Sequence, residues 1–307
     1  MKVWIKAMRL RTLPLSFASI LVGSAVAYSA SRYSGGRVSY DWTVFALCLV
    51  TTLLLQILSN FANDYGDFVK GTDNAERAGP ERALQSGSIS KGQMKIALFI
   101  SSACAFLSGL TLLIVAFWKN DAPGFWLFLG IGIGSIAAAV LYTIGRRAYG
   151  YLGFGDFFVF LFFGPVGIMG STYLISKMVV PVMICFSVTV GAFAVAVLNL
   201  NNMRDIVGDE KSGKKTIPVR LGFRRAKVYH FLLFTIAYCA FLIPYLIFQN
   251  RELGILLYFS PVAILHFIHL LKVYHIAEPA QLDGQLKAVA LSSFLFSLIL
   301  FGLAIFL

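Results

Sequence analysis

Long apolar runs, each about as long as a bilayer requires, alternate along this chain with polar segments. A helix crossing the hydrocarbon core needs roughly 20 apolar residues, because every backbone N–H and C=O must find its partner within the segment. Nine runs meet that demand: Pro14–Ser31, Trp42–Asn63, Met94–Phe117, Pro123–Ile144, Phe154–Ile175, Val179–Asn202, Val228–Phe248, Leu253–Leu271 and Lys287–Leu307. They are continuous rather than alternating, which argues against a β-barrel. The pattern predicts an all-α, polytopic membrane protein with nine transmembrane helices. The first run, with Lys2, Lys6, Arg9 and Arg11 before it and AVAYSAS within it, has the outline of a signal peptide. Eight further spans behind it favour a retained first helix.

Composition agrees. Of 307 residues 58% are hydrophobic and 13% charged, against roughly 25% charged in soluble domains. Most basic residues fall on one side of the predicted membrane, leaving Arg32, Arg37, Lys119, Lys177 and Arg251 opposite. The positive-inside rule then puts the N-terminus and both long loops in the cytoplasm and Leu307 outside. The net charge of +12 follows from this bias and from attraction to anionic headgroups. It does not indicate nucleic-acid binding, since no soluble domain presents a basic face, and nothing in the sequence calls for an obligate protein partner. Cys48, Cys104, Cys185 and Cys239 all lie in apolar runs without metal-type spacing and read as packing residues.

Acidic residues change the picture. Apart from Asp41, Asp121 and Glu252 they fall on the basic side, and two groups stand at helix ends: Asn63, Asp64, Asp67 and Asp73 after the second span, and Asn202, Asp205 and Asp209 after the sixth. If the sixth helix continues, Asp205 and Asp209 share one face, one turn apart; Asp64 and Asp67 stand in a similar relation. Polar groups at the end of an apolar helix are costly unless paired or functional. One group alone could be a loop neutralised by Arg204, Lys211, Lys214 and Lys215; two are harder to dismiss. Carboxylates without histidines suit Mg²⁺, which takes oxygen ligands and substrate phosphates, while Arg204, Lys214, Lys215 and Arg82 could contact the rest of a phosphate. Acid and base together beside a membrane imply a phosphorylated lipid. GDEKSGKKT, from Gly208, is not a Walker A loop, because Lys215 occupies the Ser/Thr position and no strand precedes it; DYGDFVKGTDNAE lacks the spacing of a calcium loop.

NDYGDFVKGTDN and NNMRDIVGDEKSGKKTIPVRLG resemble the paired aspartate signatures of the UbiA-type intramembrane prenyltransferases. RTLPLS at Arg11, AGPERALQSGSIS at Ala78 and YTIGRRAYGYLGFGDFFVFLFFGPVGIMGSTY at Tyr142 are similar to its 1,4-dihydroxy-2-naphthoate branch. The resemblance implies a UbiA-like bundle of nine helices around a central cavity, capped by cytoplasmic loops. It implies Mg²⁺-dependent transfer of a polyprenyl chain from polyprenyl diphosphate to 1,4-dihydroxy-2-naphthoate, with loss of the ring carboxylate, giving demethylmenaquinone in menaquinone synthesis. Other aromatic acceptors, 4-hydroxybenzoate or homogentisate, are the alternatives within the family. A secondary transporter is the alternative outside it, and predicts charges near mid-membrane rather than at one face.

Carried over position by position, Asn63, Asp67, Asp205 and Asp209 match the family's metal site, with Asp64 and Asp73 assisting. The commoner pattern has a third acid four residues after Asp67; Gly71 stands there, with Asp73 two positions later, as in naphthoate-type members. Arg82 and Lys215 match the basic residues that hold diphosphate, supported by Asn202 and Arg204. Tyr142 and Arg146 match a cavity-lining region, where they either orient substrate or serve as interfacial and topology-setting residues. Asp156 either helps to bind or deprotonate the acceptor or is a helix N-terminal acid favoured by the dipole. The chain is expected to form one domain over residues 1–307, in two weakly similar halves of roughly 1–145 and 146–307. Some of the 28 phenylalanines and 13 tyrosines are expected to wall the cavity. HIAEPAQLDGQ, from His275, carries no obvious chemistry, and His266, His269 and His275 show no convergence on the acids.

Overall fold

The computed structural model describes residues 2–9, 12–73, 79–117, 121–247 and 253–307. Arg11, Ala78, Lys119, Phe248, Arg251 and Glu252, all used above, lie outside the described residues. A short helix α1 (Lys2–Met8) precedes α2 (Leu13–Tyr33), α3 (Trp42–Val69), α4 (Lys91–Phe117) and α5 (Ala122–Leu141). The fifth span is α6 (Gly155–Leu161) joined to α7 (Gly167–Ser176) by a π-helical turn, Phe162–Val166. Then come α8 (Val182–Arg204), the short α9 (Ile206–Lys211) and α10 (Ile217–Leu221), α11 (Phe223–Ile247), α12 (Ser260–His275) and α13 (Asp283–Phe306). Among the described residues nine helical segments are long and apolar enough to cross a membrane, as the pattern predicts.

Helix starts follow ordinary capping chemistry. Asp41 accepts from the N–H groups of Thr43 and Val44 at the start of α3, and Asp121 accepts from Gly124 N–H at the start of α5. Two acids of the less basic side are thus helix caps. The largest core cluster joins α2, α8, α11 and α13 through Val22, Phe193, Phe234 and Phe296. A second joins α2, α3, α4 and α7. A third, of Ala7, Phe61, Ala83, Leu84, Ile89 and Met94, fastens the loop after α3 onto α1, α3 and α4.

Pro165 cannot donate a backbone hydrogen bond, and the helix accommodates it by widening into the π turn. Ser19 of α2 donates to the Phe163 carbonyl at 2.6 Å. Just beyond, α2 and α7 cross closely: a Cβ on Gly23 would lie 2.7 Å from the Ile168 carbonyl oxygen, and one on Gly167 2.7 Å from Ser19 Cβ. Thr172 donates to the Gly23 carbonyl at 2.9 Å.

The observed boundaries differ from the predicted ones where polar residues are buried. Helix α3 runs past Asn63 to Val69, so Asp64 and Asp67 lie inside it. Helix α8 ends at Arg204 and the chain turns at Asp205 before α9, but Asp209 N–H still bonds Asp205 O at 2.9 Å. The two carboxylates therefore remain one turn apart across the break.

Candidate active site

A cavity of about 680 Å³ runs down the bundle from Asp67, Asp205 and Asp209 at its head to Leu112, Leu113 and Phe128 at its base. Both acidic groups sit at the head, although about 140 residues separate them in sequence. Helix α3 presents Asn63 and Asp67 one turn apart on the face toward the cavity. Gly66 lets the turn after α5 approach: a Cβ there would meet Thr143 Cβ at 2.5 Å, and Thr143 donates to the Ala62 carbonyl at 2.7 Å. This contact brings Tyr142 to the cavity wall.

Arg82 is the hub of the first half. Anchored by buried Ala83 and Leu84, its Nη1 stands 2.6 Å from Asp67 Oδ2 and 2.8 Å from Asp73 Oδ2, and donates to the Asn63 carbonyl at 3.0 Å. Its Nε is 3.6 Å from Asp64 Oδ1, and Asp64 also pairs with Arg9. Burial opposes the Arg82 charge, but Asp67, Asp73 and Asp64 outweigh it and hold the guanidinium pKa above its usual range. Tyr151 donates to Asp67 Oδ1 at 2.7 Å and meets the Thr72 hydroxyl at 2.5 Å.

Lys214 joins the two halves, with Nζ 3.3 Å from Asp67 Oδ1 and 3.6 Å from Asp209 Oδ1. Burial lowers its pKa, yet Asp67 and Asp209 more than compensate and raise it. Burial pushes the Asp209 carboxyl up to about 6, helped by Asp205 and Asp67 and opposed by Lys214. In the second half Arg204 is enclosed and grips Asp205 through Nε and Nη2, at 2.8 and 2.6 Å.

Not every expected residue arrives at the cavity. Asn63, Asp67, Asp73, Arg82, Tyr142, Asn202, Arg204, Asp205 and Asp209 line it. Asp64 does not; its ion pairs with Arg9 and Arg82 place it behind the cavity wall, and Asp73 faces the cavity instead. Lys215 is exposed and Lys214 takes the inward place. The reason is local: Lys214 N–H bonds Asp209 O at 2.8 Å and Lys215 N–H bonds Tyr151 O at 2.9 Å, and adjacent residues of this non-helical stretch face opposite ways. Arg146 is exposed and outside the lining. Asp156 accepts from the Tyr229 hydroxyl at 2.9 Å, also outside the lining. Arg204, expected to reach for diphosphate, is committed to carboxylates. Tyr151 was not among the expected residues, although it lies within the YGYLGFGD stretch; its position beside Asp67 depends on how two loops meet.

Among the described residues no three carboxylate, imidazole or thiol groups converge closely enough to enclose a metal by themselves. Arg82 and Lys214 occupy the space between the carboxylates. The donor chemistry nonetheless fits a hard divalent cation: the cavity head offers carboxylate and amide oxygens, and Asn63 Oδ1 is buried with no hydrogen-bond partner among the described residues.

A model of the UbiA prenyltransferase family matches residues 16–298. The chain is 40% identical to the 1,4-dihydroxy-2-naphthoate octaprenyltransferase of Haemophilus influenzae over 308 residues, covering 99% of this chain and 96% of that one. It is 46% identical to the protein of the same name from Escherichia coli over 229 residues, covering 75% and 71%. A UbiA homolog from Aeropyrum pernix shares the fold with a TM-score of 0.66 at 15% identity, over 96% of each chain. One from Archaeoglobus fulgidus, solved bound to DMAPP and Mg²⁺, does so with a TM-score of 0.59 at 18% identity, over 97% and 99%. Nine spans, a cavity headed by both aspartate signatures and these relationships converge: the chain is a multi-pass membrane protein and belongs to the UbiA prenyltransferase family.

Proposed function

We propose that this protein transfers a polyprenyl group from polyprenyl diphosphate to 1,4-dihydroxy-2-naphthoate, with loss of the ring carboxylate as carbon dioxide, in the synthesis of menaquinone. The observation that carries this reading is the meeting of Asp67 and Asp209 at Lys214, above an apolar cavity, in a chain 40% identical to a relative of that name. Asn63, Asp67, Asp73, Asp205 and Asp209 are the groups that would hold Mg²⁺, with Asp64 acting from behind through Arg82. Bound there, Mg²⁺ supplies Lewis-acid neutralisation of the charge that develops on the departing diphosphate.

The chain's own side chains do the rest. Lys214 and Arg82 occupy carboxylate oxygens in this structure and are the cations placed to turn to diphosphate oxygens. Tyr151 and Thr72 fix the rotamer of Asp67. The allylic C–O bond breaks with its electron pair leaving on diphosphate, so the carbon left behind needs dry, electron-rich surroundings. Tyr142, Tyr149 and Phe158 line the cavity below the acids and supply aromatic faces. The basic loops favour a cytoplasmic membrane with the site facing the cytoplasm.

Membranes containing the protein, incubated with 1,4-dihydroxy-2-naphthoate, a long polyprenyl diphosphate and Mg²⁺, should yield a prenylated naphthoquinol with carbon dioxide and diphosphate, read as the naphthoquinone after oxidation in air. Parallel incubations with 4-hydroxybenzoate and homogentisate test the acceptor. Absence of product with every acceptor, from folded protein, rejects the enzymatic reading.

A further inference from the structure

The HIAEPAQLDGQ linker between α12 and α13 has no part in the chemistry described so far, yet it forms a wall at the head of the cavity. Glu278, Pro279 and Ala280 line the cavity, and the 3₁₀ turn Pro279–Leu282 packs against α8. Leu282 is fully buried in the same core cluster as Leu200 and Met203. These contacts fix Asp283, the first residue of α13, opposite the C-terminus of α8. The α13 dipole favours a carboxylate in its first turn, but that accounts only for its presence. Its Oδ1 accepts from Arg204 Nη1 at 2.6 Å.

The same guanidinium bonds both oxygens of Asp205, while Nη2 also donates to Asn201 Oδ1 at 2.9 Å. A buried guanidinium requires neutralisation. Here one guanidinium serves two carboxylates, so Asp283 draws part of the Arg204 charge away from Asp205. With a neutral residue at position 283 Arg204 would keep only Asp205 of these two carboxylates, and a divalent cation would compete with a stronger bidentate pair.

We infer that Asp283 is a positioning residue for the metal and diphosphate site: it anchors Arg204 and, through Arg204, sets the orientation and residual charge of Asp205. This rests on the proposed function, in which Asp205 meets the cation. It assigns chemistry to a linker that lies outside both aspartate signatures.

The test is Mn²⁺ binding to the purified full chain in detergent, read from the loss of the free Mn²⁺ EPR signal. Asp283→Asn keeps the side-chain shape and removes the charge. It should weaken Mn²⁺ binding about 10- to 100-fold, the usual cost of losing a group that supports a metal ligand. Asp283→Glu should restore binding to within about threefold of wild type, a difference small beside that loss. In an Arg204→Gln background, Asp283→Asn should change binding less than about twofold, because the route between the two carboxylates is gone. Unchanged binding by Asp283→Asn overturns the inference. An equal loss with and without Arg204 also overturns it, marking a charge effect through space. If Arg204→Gln does not fold, the other two variants decide: equal weakening by Asp283→Asn and Asp283→Glu overturns the inference. A wild-type protein that binds no Mn²⁺ rejects the metal-site reading itself, an outcome distinct from wild-type binding that Asp283→Asn leaves intact.

Discussion

Arg82→Gln should destabilise the metal-free protein and make its stability depend on divalent cation. The Arg82 side chain is 9% exposed and faces Asp67, Asp73 and Asp64 at 2.6, 2.8 and 3.6 Å. Removing one partner from a buried ion pair costs about 3–5 kcal/mol, because the remaining charge is left uncompensated. Lys214 still neutralises part of Asp67, which places the expected loss near the lower end, about 3 kcal/mol. At about 2.1 cal/mol/K per residue over 307 residues, that corresponds to an apparent Tm lower by about 5 °C. A divalent cation held by the same carboxylates would offset the missing guanidinium, so Mg²⁺ should raise the Tm of Arg82→Gln more than that of wild type. The assay is thermal unfolding in detergent at neutral pH, followed by tryptophan fluorescence with and without Mg²⁺. Arg146→Gln is the control: Arg146 is exposed, and its loss should change stability by less than about 0.5 kcal/mol. An Arg82→Gln protein as stable as wild type without metal, or one that Mg²⁺ stabilises no more than wild type, would refute the reasoning.

Asp67→Asn or Asp205→Asn should lower turnover by about 10²-fold or more while leaving membrane insertion intact, as read by product formation beside a fractionation assay. Lys214→Met should lower kcat/KM for the prenyl diphosphate by about tenfold or more, a loss of one charged contact, whereas Lys215→Met should leave it unchanged; the opposite ranking would mean that the loop turns over in the working enzyme. Tyr151→Phe removes the hydroxyl that holds Asp67 and should cost about 1.5–3 kcal/mol, the range for a hydrogen bond to a charged group, measured as a lower Tm. His269 bridges His230 and Gln285 at 2.9 and 2.8 Å inside the bundle. His269→Leu should therefore cost about 1–3 kcal/mol for the stranded partners with no change in KM for either substrate.

What the sequence reveals depends on how local its cause is. The nine spans are legible because bilayer thickness fixes helix length, and the two acidic groups because carboxylates at helical spacing are unusual beside apolar runs. Their convergence is legible only through family resemblance, since no local rule brings Asp67 to Asp209. The choice between Lys214 and Lys215 depends on one backbone bond, from Lys215 N–H to Tyr151 O, that neither residue's chemistry encodes. The choice between Asp64 and Asp73 is likewise set by partners: Arg9 and Arg82 draw Asp64 behind the wall. The predicted end of α3 falls too early because Asn63 marks a change in polarity, whereas the ion-paired Asp64 and Asp67 let the helix continue to Val69. The role of Asp283 was invisible because its partner lies 79 positions away, in another helix.

The π-helical turn at Phe162–Val166 also acts as a phase shifter. An extra residue in one turn rotates all that follows by about 100° about the helix axis, and so decides which side of α7 meets α2. Deleting a single residue there could leave an unbroken apolar span of nearly the same length. It would nevertheless turn Gly167, Ser171 and Thr172 away from Ser19 and Gly23 and press larger side chains into a crossing with no room for a Cβ. Insertions and deletions in this span should therefore be tolerated only where they preserve angular register, a constraint that neither hydropathy nor span length reports.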